Sequence, residues 1–224
     1  MNYSMIKVLM LKDWYLQRWF MLAALLGGVI SLGIVCLGGQ AAFTVGLILL
    51  VTVLVAVGGQ LAVGSIVQER KDQTLAFVMS LPISFRDYTT SKLLGTLLIF
   101  LVPWLLLVLG CLTLFAVPNG IPHGLLPFTV IMSVEILVSA CLQICMALVT
   151  ESQGWTVCAV IVGNLALNFF GYYVAHVASI AKGMGGHAVM WSPAASVLLL
   201  TESGVIGLLL GVTFFIQGRK KEFL

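Results

Sequence analysis

Charge is what this sequence has least of. Among its 224 residues only 8% are Asp, Glu, Lys or Arg, while 61% are apolar, against about 25% and about 45–50% in an ordinary soluble domain. So few charges cannot clothe a surface that faces water. The length would suit one or two domains, but no polar stretch is long enough to fold apart from the rest, so the chain reads as one membrane-embedded domain. Other absences narrow the chemistry. There is no GxxxxGK[ST] phosphate loop and no GxSxG nucleophile turn. The three histidines, His123, His176 and His187, form neither an HExxH motif nor a pair four residues apart, so no metal site is expected. The five cysteines, Cys36, Cys111, Cys141, Cys145 and Cys158, lie in apolar runs without CxxC spacing and read as small packing residues. The net charge of +3 is not laid out as a basic stripe with interleaved aromatics, which excludes nucleic acid as the expected partner.

What is present in quantity is long apolar runs. A bilayer core of about 30 Å needs roughly 20 apolar residues in a helix, because lipid offers the backbone no hydrogen-bond partner. Six stretches meet or approach that length: residues 19–38, 41–67, 93–117, 125–149, 155–177 and, shortest, 203–217. The first follows Lys7, Lys12 and Arg18 but is too long for a signal-peptide core and lacks a small-residue cleavage site, so it is read as a retained span. The sequence thus predicts an all-α polytopic membrane bundle of six transmembrane helices.

Orientation follows from Lys and Arg, which stay on the cytoplasmic side. Lys7, Lys12 and Arg18 precede the first span. Arg70, Lys71, Arg86 and Lys92 fall between the second and third, and Arg219, Lys220 and Lys221 follow the sixth. Of the eleven basic residues only Lys182 lies opposite, so both termini are expected in the cytoplasm. Residues 178–202 hold three glycines, Trp191-Ser192-Pro193 and an apolar run, 194–200, too short to cross; they are read as an outer loop with re-entrant helices. Residues 218–224 form a basic cytoplasmic tail.

The longest polar connection is QERKDQTLAFVMSLPISFRDYTTSK, residues 68–92. After the charged group Glu69, Arg70, Lys71 and Asp72, the residues Leu75, Val78 and Met79 fall at helical i, i+3, i+4 spacing. Leu81-Pro82 stops that helix, and Ser84 with Asp87 is placed to start the next. Such a helix either anchors the chain among lipid headgroups or is offered to a partner, with charges setting register and apolar residues filling a groove.

This run resembles the signature of the type-2 permeases of ABC transporters. There a Glu, a Thr-Leu, a Leu-Pro-Ile-Ser and a Lys at the next span recur in order; here they are Glu69, Thr74-Leu75, Leu81-Pro82-Ile83-Ser84 and Lys92. The opening Leu11-Lys12-Asp13-Trp14 is similar to the amphipathic helix, residues 1–18 here, that leads into their first span. Where the family commonly places Arg directly after Pro-Ile-Ser, this chain has Phe85 and then Arg86. The resemblance implies that Glu69, Arg70, Lys71, Asp72, Leu75, Val78, Met79, Leu81 and Pro82 belong to a coupling segment inserted into a separate ATP-binding subunit. It implies an exporter in the cell membrane with two such ATPases and a second permease, identical or related. ATP and Mg would be bound by the partner, and this chain would hold no cofactor.

Inside the spans, ionisable and amide side chains are costly and mark candidates for a translocation path: Glu135 and Gln143 in the fourth, Asn164 and Asn168 in the fifth, Glu202 at the head of the sixth. Each also fits a packing role as hydrogen-bonding glue between helices. Two other functions stay open on the residues alone: a membrane scaffold or assembly factor using the same surface helix, and an intramembrane lipid-modifying enzyme, which would need a convergent set of ionisable groups.

Overall fold

The computed structural model describes residues 3–37, 40–71, 85–116, 121–186 and 188–219, which form helices and short turns. Helix α1 is Tyr3–Cys36. Helix α2 begins as Gln40–Leu61 and carries on through a π-helical stretch, Ala62–Val67, and a last α-turn, Gln68–Lys71. Then come α3 (Phe85–Leu114), α4 (Leu126–Thr150, after a 3-10 turn His123–Leu125), α5 (Gln153–His176), the short α6 (Ala178–Met184) and α7 (Pro193–Arg219). Six of them, all but α6, are long and apolar enough to cross a bilayer, which makes the chain a multi-pass membrane protein.

Two element boundaries differ from the sequence reading. Residues 1–18 and the first span do not divide, because α1 runs on unbroken from Tyr3. The apolar run 194–200 is not a second re-entrant helix; it is the opening of α7. Ser192 and Pro193 supply a start signal, with the Ala195 N–H donating to Ser192 Oγ at 3.2 Å. Thr201 and Ser203, where the outer loop and the sixth span were expected to meet, turn their hydroxyls back onto the carbonyls of Leu198 and Leu199 at 2.7 and 2.8 Å, so the helix continues through them.

Helices α1, α2 and α3 pack together, as do α4, α5 and α7, and α4 joins the groups through α2 and α3. Water does not drive apolar faces together inside lipid, so close packing and hydrogen bonds must hold such a bundle. Gly46 allows α2 to cross α1 where a Cβ would lie 2.8 Å from the Ser31 carbonyl oxygen, and Gly163 allows α5 to reach Ser139 Oγ on α4. Gly207 and Gly211 face open space on α7. Between helices, Trp104 Nε1 donates to the Ser133 carbonyl at 2.9 Å and Gln217 Nε2 to the Leu148 carbonyl. Phe100, Leu54, Leu61 and Ile136 lie in the central core.

The start of α1, the end of α2, the start of α3 and the ends of α4 and α7 meet at one end of the bundle, where Lys12, Lys92 and Arg219 also lie. Lys182, on α6, lies at the opposite end, where the Gly124 N–H donates to the Gly186 carbonyl at 3.0 Å.

Candidate functional site

At the basic end a charged group is enclosed rather than solvated. Lys92, about two turns into α3, is 2% exposed. Its Nζ donates to Asp13 Oδ2 at 2.7 Å and to the Ser65 carbonyl at 3.1 Å, and lies 2.9 Å from Glu69 Oε2. An ammonium has three protons and no acceptor capacity, so three oxygens satisfy it completely. The Ser65 carbonyl belongs to the π-helical stretch of α2, a wider turn that is often found at functional sites. Ser65 Oγ in turn lies 3.1 Å from Thr96 Oγ1 of α3.

A second cation completes the group. Lys12 Nζ reaches Glu69 Oε1 at 2.5 Å and stands 3.6 Å from Asp13 Oδ1, while the Tyr88 hydroxyl donates to Glu69 Oε2 at 3.4 Å. Two cations thus face two anions, with Asp13 3% exposed and Glu69 11%. Burial alone would disfavour the Glu69 charge, but Lys92 and Lys12 overcome it and hold the carboxyl below the ordinary glutamate value. The group joins three helices at the two roots of the connection 72–84: Glu69 just before it, Lys92 just after it, and α1 beside both.

Among the sequence-selected coupling residues, Glu69 is therefore fixed inside this ion group. Arg70 and Lys71 end α2. Asp72, Leu75, Val78, Met79, Leu81 and Pro82 lie outside the described residues. Asp13 and Lys12 were not singled out as site residues, and Lys92 was marked only as a motif position at the start of the third span. The available signal was an acid and a base inside a helix that otherwise reads as apolar.

The translocation candidates separate into three places. Asn164 and Asn168 are exposed on α5, joined by Asn168 Nδ2 donating to the Asn164 carbonyl at 2.7 Å. They line a groove of about 420 Å³ with Ile48 and Thr52 of α2, Phe128 of α4 and Tyr172 of α5. Gln143 is 1% exposed on α4, its Nε2 donating to Ser139 Oγ at 3.2 Å. Glu135, half-buried on α4, and Glu202, 4% exposed on α7, belong to the seam between those helices. Among the described residues no group of three His, Cys, Asp or Glu side chains is placed to hold a metal ion.

Residues 8–216 match the model of a family described as ABC-2 family transporter protein. No curated protein and no solved structure matches the chain.

Proposed function

The chain belongs to the ABC-2 transporter membrane family, and from that premise we propose that it is the permease subunit of an ATP-driven exporter whose connection 72–84 docks into a separate ATP-binding subunit. The observation that carries this reading is the ion group of Lys12, Asp13, Glu69 and Lys92, which fastens both roots of that connection to α1. A push on the connection then moves α1, α2 and α3 together instead of bending one helix end. Leu75, Val78, Met79, Leu81 and Pro82 supply the apolar contact, and Arg70, Lys71 and Asp72 its register. ATP and Mg are handled by two partner ATPases, and both termini face the cytoplasm of the cell membrane.

A second permease, identical or related, covers the groove between α2, α4 and α5. Asn164 and Asn168 support this, because exposed amides in the middle of a span are poorly suited to lipid. The complex is expected to survive purification in lipid nanodiscs with its ATPase and to stimulate ATP hydrolysis. Leu75→Ala with Val78→Ala should dissociate the ATPase while leaving the permease pair intact, and Asn164→Leu with Asn168→Leu should lower the permease dimer fraction. Retention of the ATPase by the first variant would refute the docking assignment.

A further inference from the structure

The beginning of α3 and the end of α7 leave a cleft of about 420 Å³ at the basic end of the bundle, with Thr89 on one wall and Phe214, Phe215, Gln217, Gly218 and Arg219 on the other. The two spans that frame it begin at Tyr88 and end at Arg219. The cleft therefore lies at the depth of lipid headgroups, where the hydrocarbon core gives way to the polar boundary.

Gln217 is its buried polar member. It is 3% exposed, its Nε2 donates to the Leu148 carbonyl of α4, and its Oε1 has no hydrogen-bond partner among the described residues. The bond to Leu148 fixes which way round the amide lies, so the oxygen is the atom left for a ligand. A buried acceptor without a donor is costly, and a ligand that supplies one recovers that cost. Arg219 has the opposite need. Its guanidinium lies over the Phe215 ring, 4.3 Å from the centroid, and the cleft lining contains no acid. Such a stacked guanidinium keeps its fork of N–H donors for an anion, phosphate above all. Thr89 adds a hydroxyl to the facing wall, and Phe214 and Phe215, 42% and 60% exposed, add apolar surface. The complement to this set is an anion with a hydrogen-bond donor beside it and an apolar body behind it.

We propose that the cleft binds a phospholipid whose headgroup carries a hydrogen-bond donor next to its phosphate, as ethanolamine and glycerol headgroups do. The phosphate faces Arg219 and Thr89, the headgroup donor turns to Gln217 Oε1, and the first part of the acyl chains rests on Phe214 and Phe215. A choline headgroup has the phosphate but no N–H or O–H, so it leaves Gln217 unpaired. A partner's helix, about 10 Å across, would fill the volume within roughly one turn, so the cleft suits a headgroup better than a protein segment. The bound lipid ties the end of α7 to the beginning of α3, whether or not the connection 72–84 docks an ATPase.

The test is native mass spectrometry of the full-length protein in detergent, titrated with phospholipids that share the same acyl chains and differ only in headgroup. The wild type should retain one ethanolamine or glycerol phospholipid per chain, about fivefold better than the choline lipid, the worth of one hydrogen bond. Arg219→Gln should lower that retention about tenfold, the worth of a charged one. A Cβ at Gly218 meets nothing within 4 Å, so Gly218→Leu should enter the cleft without moving a helix and abolish retention. Gly207→Leu, at an equally open position outside the cleft, should retain the lipid as the wild type does. If Arg219→Gln or Gly218→Leu does not fold, the other carries the test. Equal retention of the choline lipid, retention that neither cleft variant lowers, or equal loss from Gly207→Leu overturns the proposal. Displacement of the lipid by inorganic phosphate also overturns it, in favour of a site for soluble anions.

Discussion

Lys92 derives its place in the bundle from oxygens on two other helices, Asp13 on α1 and Glu69 and Ser65 on α2. Removing one member of a buried ion pair costs about 3–5 kcal/mol, because the remaining charge stays enclosed. Lys92→Met should therefore lower the unfolding free energy in detergent by that order, with a lower midpoint, and replacing Asp13, Glu69 and Lys92 together by Asn, Gln and Met should recover most of the loss. An unchanged midpoint in the single variant would mean that water reaches the group. Glu69 adds a pH dependence of definite sign. Its carboxyl is held below the ordinary glutamate value, so the stabilisation it contributes is present above about pH 4.3 and is lost as pH falls through its own lowered value. Unfolding measured against pH should show this acid limb in the wild type and a weaker one in Glu69→Gln.

Among the elements, α6 is tied to the head of α4 by a backbone contact that leaves no room for a side chain at Gly124. A Cβ there would overlap the Gly183 carbonyl oxygen, and the Gly124 N–H already donates to the Gly186 carbonyl. Gly124→Ala should displace α6 at a cost of about 1–3 kcal/mol, seen as faster deuterium uptake in residues 178–186 with the other helices unchanged. The same scale explains what could be read from sequence. Six spans were legible because runs of about 20 apolar residues have few alternatives. The continuity of α1 and α7 was not. Lys12, Asp13 and Arg18 precede the first apolar run and set it apart from the N-terminal segment, and the groups that neutralise Lys12 and Asp13 lie 57 and 79 residues away, beyond any local periodicity. On α7, the run 194–200 is too short to cross alone, and only the hydroxyls of Thr201 and Ser203 bonding within the helix show that it continues into the sixth span. Of the site, Glu69 and Lys92 were visible as motif positions, but that they share one ion group with Asp13 is a fact of packing.

For the whole molecule, the proposed function makes the arrangement a lever. Its proposed handle is the connection 72–84, its fulcrum the ion group at the roots, and its load the three helices α1, α2 and α3, of which α2 and α3 meet α4. In the proposed complex, rigid coupling at the roots would let closure of an ATPase pair shift helices rather than dissipate in a loop. The most direct measurement is site-specific photo-crosslinking in intact cells, with a photoreactive residue in place of Leu75 and the ATP-binding subunit co-expressed. The expected product is a covalent adduct with that cytoplasmic subunit. Adducts only with proteins outside the cell, or none with the ATPase while the complex still co-purifies, would contradict the account.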